Sequence, residues 1–211
     1  MLAMFLARAT LGLVERTASP SRSLGSKAVA FVLLFAVLLC DARPALAQFN
    51  QLGPKLVGTG SVGNALQGFS VALSADGNTA IVGGLSDNSG SGAAWVFTRS
   101  SGTWTQQGPK LVGTGGSAPT QQGRSVALSA DGNTALVGVS GSSGAGAAWV
   151  FTRSGGSWTR QGSKLVGNGS VAGEVKQGTS VALSASGRIA VVGGWTDNSE
   201  GGAWVFAEPT Q

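Results

Sequence analysis

The side chains with which proteins most often perform acid–base and nucleophilic chemistry are scarce in this sequence. There is no His and no Tyr in 211 residues, and the single Cys, Cys40, lies in an N-terminal apolar run. Ser-His-Asp and Cys-His catalysis therefore lack their base or their nucleophile, and a zinc site would have to be built from carboxylates alone. The acids beyond residue 47 are Asp76, Asp87, Asp131, Glu174, Asp197, Glu200 and Glu208. Two of them could act as the acid and base of a glycosidase. Their placement points to turns instead. Asp76 and Asp131 both fall in the sequence Ala-Asp-Gly-Asn, a tight-turn signature, and the third copy has Ser186 in that place. No enzymatic activity is expected.

Two short stretches, Asp87-Asn88-Ser89 and Asp197-Asn198-Ser199, carry oxygen ligands of the kind calcium takes, but calcium needs six to eight of them. The matching stretch Ser140-Gly141-Ser142-Ser143 has no acid. Asp87 and Asp197 are weak candidate metal ligands, and no cofactor is expected. Trp104 and Trp158 are the candidates for contact with a ligand or partner, because each stands in a strand among Thr, Gln and Arg, and half-exposed rings stack on sugars and mark interfaces. Trp95, Trp149 and Trp204 follow Ala in apolar strands and are expected to be packing residues. Arg99 and Arg153 are expected to be solvated.

The elements that must position these residues repeat. Ser70–Ala80 and Ser125–Ala135 both read SVALSADGNTA, and Ser180–Ala190 reads SVALSASGRIA, so successive copies start 55 residues apart. A second block, AAWVFTRS from Ala93 and again from Ala147, returns as GAWVF from Gly202. A third is TWTQQGPKLVG from Thr103 and SWTRQGSKLVG from Ser157. A fixed period of this size means a repeat architecture. Each unit reads as four short strands: Ser70–Ser74, a turn over Ala75–Asn78, Thr79–Val82, a polar loop, Ala93–Thr98, a turn over Ser100–Gly102, and Thr103–Gln107. The strands alternate large with small residues, Trp95 and Phe97 against Ala94 and Val96, with no clean polar face. A sheet sandwiched between two neighbours needs that pattern. The fold class is all-β: a β-propeller-type repeat of three four-stranded antiparallel blades in an incomplete ring, with a β-solenoid as runner-up.

Residues 1–47 read as a signal peptide, with a long basic region, an apolar run over 28–40 and Ala45-Leu46-Ala47 as cleavage site. The apolar run is short for a membrane span; retention as an anchor is the alternative, and only then would the protein touch a membrane. Residues 48–211 form the repeat domain, with units at about 53–107, 108–161 and 162–211. Residues 48–56 align with the Trp104–Leu111 strand and are expected to supply a closing strand to the last blade. Of the formal charge of +5, +3 belongs to the leader and the rest is scattered. Nucleic-acid binding needs a basic patch or stripe, so none is expected.

The pattern Gln67-Gly68-Phe69-Ser70-Val71-Ala72-Leu73-Ser74 followed by Ala80-Ile81-Val82-Gly83-Gly84, recurring three times, resembles bacterial FG-GAP repeats, which are related to the integrin α-chain propeller. The resemblance covers residues 49–207. It implies a propeller, export, and binding or adhesion at a surface, with a protein or glycan as partner. The calcium loop of integrin-type repeats is not matched, since Ser74–Asn78 offers one carboxylate and Ser184–Arg188 none. Three blades are too few for a ring, so the expectations are a homodimer of six blades, an open arc, or a remnant of a longer array. The functional expectation is an exported, non-catalytic binding or adhesion module. The alternatives are an envelope scaffold and a glycan-binding lectin using Trp104 and Trp158.

Overall fold

The computed structural model describes residues 48–114, 119–141, 145–169, 175–197 and 200–209. The leader and its Cys40, Glu174, Ser142-Ser143 and Asn198-Ser199 lie outside the described residues. The chain divides into Met1–Asn50 and Gln51–Gln211, and the fold is that of the second unit.

Among the described residues, eleven strands make three antiparallel sheets in chain order. The first sheet holds β1 (Gln67–Leu73), β2 (Thr79–Gly84), β3 (Ala93–Ser100) and β4 (Thr103–Gln106). The second holds β5 (Gln122–Leu128), β6 (Thr134–Val139), β7 (Ala147–Ser154) and β8 (Ser157–Leu165). The third has three strands among the described residues: β9 (Ser180–Leu183), β10 (Ile189–Gly194) and β11 (Gly202–Ala207). Strands run three residues earlier than the alternation predicts in β1, because Gln67 pairs with Gly84 across a bulge that ends at Ser70. Ser101 and Gly102 both take positive φ between β3 and β4, the two-residue turn that matches strand twist.

Each sheet has two unlike faces, set by the two-residue period of a strand. The leading face carries the large residues, Val82 opposite Trp95 and Ala80 opposite Phe97, and likewise Val137 with Trp149 and Ala135 with Phe151. The trailing face carries the smaller Ile81, Ala94 and Val96. Sheets stack trailing face on leading face. Ile81, Ala94 and Val96 of the first sheet are buried with Val126, Val137, Trp149 and Phe151 of the second. Leu136 and Ala148 of the second are buried with Ala190 and Val192 of the third. This is why the inner pairs β2–β3 and β6–β7 alternate large with small rather than apolar with polar, whereas β4 and β8 expose Thr103, Thr105 and Thr159. On the leading face of the first sheet, Leu56 and Ala65 cover the part around the fully buried Trp95, and Val71 and Leu73 are left exposed.

The close approach of the stack depends on glycine. A Cβ on Gly83 would lie 2.0 Å from the Gly123 carbonyl oxygen, and one on Gly138 would lie 2.2 Å from that of Gly178. The chain passes from one sheet to the next at Gly113 and Gly167, and Gly58 holds the same place ahead of the first sheet. Each lies flat on the indole of Trp95, Trp149 or Trp204, where a Cβ would come within about 2 Å of the ring.

Candidate functional site

The second position of each sheet crossing is held by a glutamine. Gln122 accepts the Gly113 N–H at 2.6 Å and donates to the Gly113 carbonyl at 3.1 Å. Gln67 does the same with Gly58 and Gln177 with Gly167. Gln122 and Gln177 are buried, and a buried amide is tolerable only when paired in this way. Three residues ahead of each Ser-Val-Ala-Leu block, Gln67 and Gln122 start β1 and β5, and Gln177 stands three residues before β9.

Directly after them the sequence varies. The block reads Gln-Gly-Phe-Ser-Val-Ala-Leu-Ser-Ala from Gln67, the same with Arg124 for Phe from Gln122, and with Thr179 from Gln177. One position of nine differs, and it differs in every copy. Gly68, Gly123 and Gly178 before it all have positive φ, as do Leu66, Gln121 and Lys176 at the start of each turn. Positive φ is costly for those three non-glycine residues, and such conformations concentrate at functional positions. Register shifts between Gln67 and Ser70, and between Gln122 and Val126, mark bulges there. Bulges re-aim side chains. Phe69 is thereby 52 % exposed, and the Arg124 guanidinium from the next sheet lies 5.7 Å from its ring centre. In the third sheet the Thr179 hydroxyl donates to the Lys176 carbonyl at 2.6 Å. β1 packs on β5 and β5 on β9, so this inner row runs from sheet to sheet: an aromatic ring, a guanidinium, a hydroxyl. It offers cationic and aromatic contact and no carboxylate, which suits an acidic group on a ligand.

The residues singled out from the sequence lie elsewhere. Trp104 and Trp158 are half-buried on the outermost strands. Arg99 lies over the Trp104 ring at 5.7 Å and Arg153 over Trp158 at 5.4 Å. The Trp158 N–H donates to Gln107 at 3.0 Å, and Arg153 donates to the same oxygen. The arginines are therefore not simply solvated: Arg99 and Arg153 also donate to Asn78 and Asn133, tying each ring to the neighbouring hairpin turn. One face of each indole is taken by its arginine.

Asp87 is 1 % exposed. One of its oxygens accepts the Val62 N–H at 2.7 Å and the other meets the Lys110 ammonium at 2.5 Å. The lysine supplies the positive charge that a buried carboxylate needs, and the turn at Asp87–Gly90, with Asn88 and Ser89 left-handed, is fastened to the 62 segment. The Asp197 carbonyl accepts the N–H groups of Glu200 and Gly201. The two aspartates belong to different sheets, and among the described residues no group of three or more His, Cys, Asp or Glu converges.

A cleft of about 250 Å³ opens between the second and third sheets, lined by Val150, Leu165, Leu183, Phe206, Gln161 and Glu208 among others. Gln161 and Arg188 both reach Glu208, at 3.3 and 3.4 Å. Neither this cleft nor the inner row was anticipated from the residues. The row had a signal, a single varying position inside a constant block. The cleft had none, because it depends on where two sheets fail to fill space.

No protein-family model matches the chain, and no curated protein matches it. Among solved structures, TolB from Acinetobacter baumannii is similar over 70% of this chain and 33% of its own length, with 13% sequence identity and a TM-score of 0.34. The chain thus spans about a third of the length of that protein.

Proposed function

We propose that the chain is an exported, non-catalytic binding module built from FG-GAP-type blades, and that its ligand is met by the inner row of Phe69, Arg124 and Thr179. The observation that carries this reading is the variation of that one position within a constant nine-residue block, beside bulges in the first two sheets that leave Phe69 exposed and Arg124 half-exposed. A packing residue would repeat with its block; a recognition residue differs from blade to blade because each blade meets a different part of the ligand. The ligand is a protein or glycan surface that presents an acidic group to Arg124. The non-catalytic reading rests on the lack of His, Tyr and a Cys beyond residue 47, and on carboxylates spent in turns and ion pairs.

The experiment is a binding screen of the purified protein against surface-protein and glycan arrays, followed by Arg124→Ala and Phe69→Ala on whatever is retained. A loss of at least tenfold with either variant, steeper at low salt for Arg124→Ala, supports the reading. Retention by both variants overturns it. Half-exposed Trp104 and Trp158 favour a second reading, a lectin that stacks sugars on the ring faces away from the arginines. Glycan binding lost on Trp104→Ala and Trp158→Ala, and unaffected by Arg124→Ala, would select it.

A further inference from the structure

The stack of sheets ends in two faces that are the two halves of its own interior junctions. The trailing face of the third sheet presents Val191, Ala203 and Val205. Val205 is 69 % exposed, whereas Val96, its counterpart in the first sheet, is 0 % exposed. On the leading face of the first sheet, Val71 and Leu73 are 69 % and 58 % exposed, whereas Val126, the counterpart of Val71, is 8 % exposed. The polar contacts of the interior junctions stop at the same place. Ser70 Oγ donates to the Gly123 carbonyl, and Ser125 Oγ to that of Gly178, each at 2.8 Å. The Ala75 N–H donates to Ala130, and the Ala130 N–H to Ala185. Gly83 and Gly138 are pressed against the next sheet, whereas the nearest atoms to a Cβ on Gly193 belong to Ser180 of its own sheet.

The missing outer strand tells the same story. In the second sheet, β8 brings Trp158 into the junction with the first, where it packs on the core and bonds Gln107. Among the described residues the third sheet has no such strand beside β11, and the cleft lined by Val150, Leu165 and Phe206 lies where its aromatic residue would be. Gln161, the counterpart of Gln107, turns to Glu208 instead. The sequence Phe49-Asn50-Gln51-Leu52-Gly53-Pro54-Lys55-Leu56-Val57-Gly58 matches Trp104–Gly113 position for position, with Phe49 in the place of the tryptophan. Leu111 pairs with Ala94 in both directions, at 2.7 and 3.1 Å. By the same register Leu56 belongs opposite Ala203.

Leu56 cannot reach Ala203 of its own chain. Gly58 is held on Trp95 of the first sheet, two residues reach about 7 Å, and the third sheet lies beyond the second at about 10 Å per packed sheet. We propose that this chain binds a second copy of itself head to tail: residues 49–57 of each copy form the outer strand of the other's third sheet, Phe49 fills the cleft, and Val205 packs on Val71 and Leu73 of the second copy. Two such junctions close two copies into six blades, within the range of known rings. The proposal is independent of the ligand reading above.

Light scattering on the purified protein after size exclusion tests it. The expected mass is twice that of one chain, falling to that of one chain for Val205→Arg, for Val71→Glu and for Phe49→Ser. The first two alter residues already exposed, so the fold survives them, which circular dichroism checks. Mixing Val205→Arg with Val71→Glu chains restores the double mass, because the mixed pair keeps one native junction and places arginine against glutamate in the other. Leu56→Cys with Ala203→Cys, in a Cys40→Ser background, gives chains joined in pairs that separate under reductant. A single-chain mass for the unaltered protein, a double mass indifferent to Val205→Arg and Val71→Glu, or a Leu56–Ala203 disulfide formed within one chain overturns the proposal.

Discussion

The second and third sheets are built from nearly the same sequence and stand in different surroundings. Trp149 is 6 % exposed between the first and second sheets, while Trp204 is half-buried and lies beside the cleft side of the third. In the second sheet the turn after the first strand is closed by three hydrogen bonds from two side chains: Ser129 Oγ donates to Asp131 at 2.5 Å, Asp131 accepts the Asn133 N–H, and Ser129 accepts the Thr134 N–H. In the third, Ser186 replaces the aspartate, its hydroxyl is 3.2 Å from Ser184, and it accepts the Arg188 N–H at 3.4 Å. Thr134 gives way to Ile189, which is 41 % exposed. The difference teaches that the repeat stabilises a sheet in proportion to its neighbours. Val205 of the third sheet repeats Val96 and Val150, yet among the described residues no sheet covers it and it is 69 % exposed.

The largest test of this contrast is Trp149→Ala against Trp204→Ala. Truncating a buried Trp costs about 3–5 kcal/mol, so urea unfolding of Trp149→Ala should fall by that amount and Trp204→Ala by less than half of it. Equal losses would show that the third sheet is as well packed as the second. Next is Gly138→Ala against Gly193→Ala. The first drives a methyl group into the Gly178 backbone and should cost on the order of 1–3 kcal/mol; the second meets only the Ser180 hydroxyl and should cost markedly less in the single chain. Ser129→Ala strands the half-buried Thr134 N–H and should cost roughly 1 kcal/mol, with Ser184→Ala smaller, since its turn is exposed. Ser186→Asp should sharpen the comparison in the other direction, raising the midpoint of thermal unfolding by giving the third turn the carboxylate of the other two.

The smallest effect expected is in acid. The Ser74 hydroxyl, then the N–H and amide of Asn78, hold the Asp76 carboxyl at about 2. The Ser129 hydroxyl, then the Asn133 N–H, hold Asp131 below its ordinary value, with Arg153 adding to the effect. A carboxyl whose folded pKa is depressed contributes stability above its unfolded value of about 3.9 and loses it as pH falls through the folded value. Thermal midpoints should therefore drop between about pH 4 and about pH 2, and the drop should shrink in an Asp76→Asn, Asp131→Asn double variant. An unchanged pH profile in that variant would mean that the turns do not hold charged carboxylates.

Much of the fold was legible. Trp95 and Trp149 were expected to pack and are buried, because an Ala-Trp-Val-Phe strand has no polar side to turn outward. The hairpin turns were legible from Asp-Gly, whose backbone preference is local. The site was less so. Asp87 carries the same Asp-Asn-Ser sequence as Asp197, and nothing local says that Lys110, 23 residues on, will neutralise it. Arg99 and Arg153 read as solvated because their tryptophan and asparagine partners come from other strands. Phe69, Arg124 and Thr179 were not legible because variation within a repeat looks like tolerance until the three are seen in one row, with bulges beside Phe69 and Arg124.

By itself the sequence determined the period, the strands, their alternation of large with small and the scarcity of catalytic side chains. All of these follow from residue type and from spacing along a few residues. Tertiary structure alone decided which faces are filled, which tryptophans are covered by arginine, where the cleft opens and which glycines touch backbone. Those depend on distances between segments some 50 residues apart, and in a repeat the same segment meets a different neighbour each time it occurs.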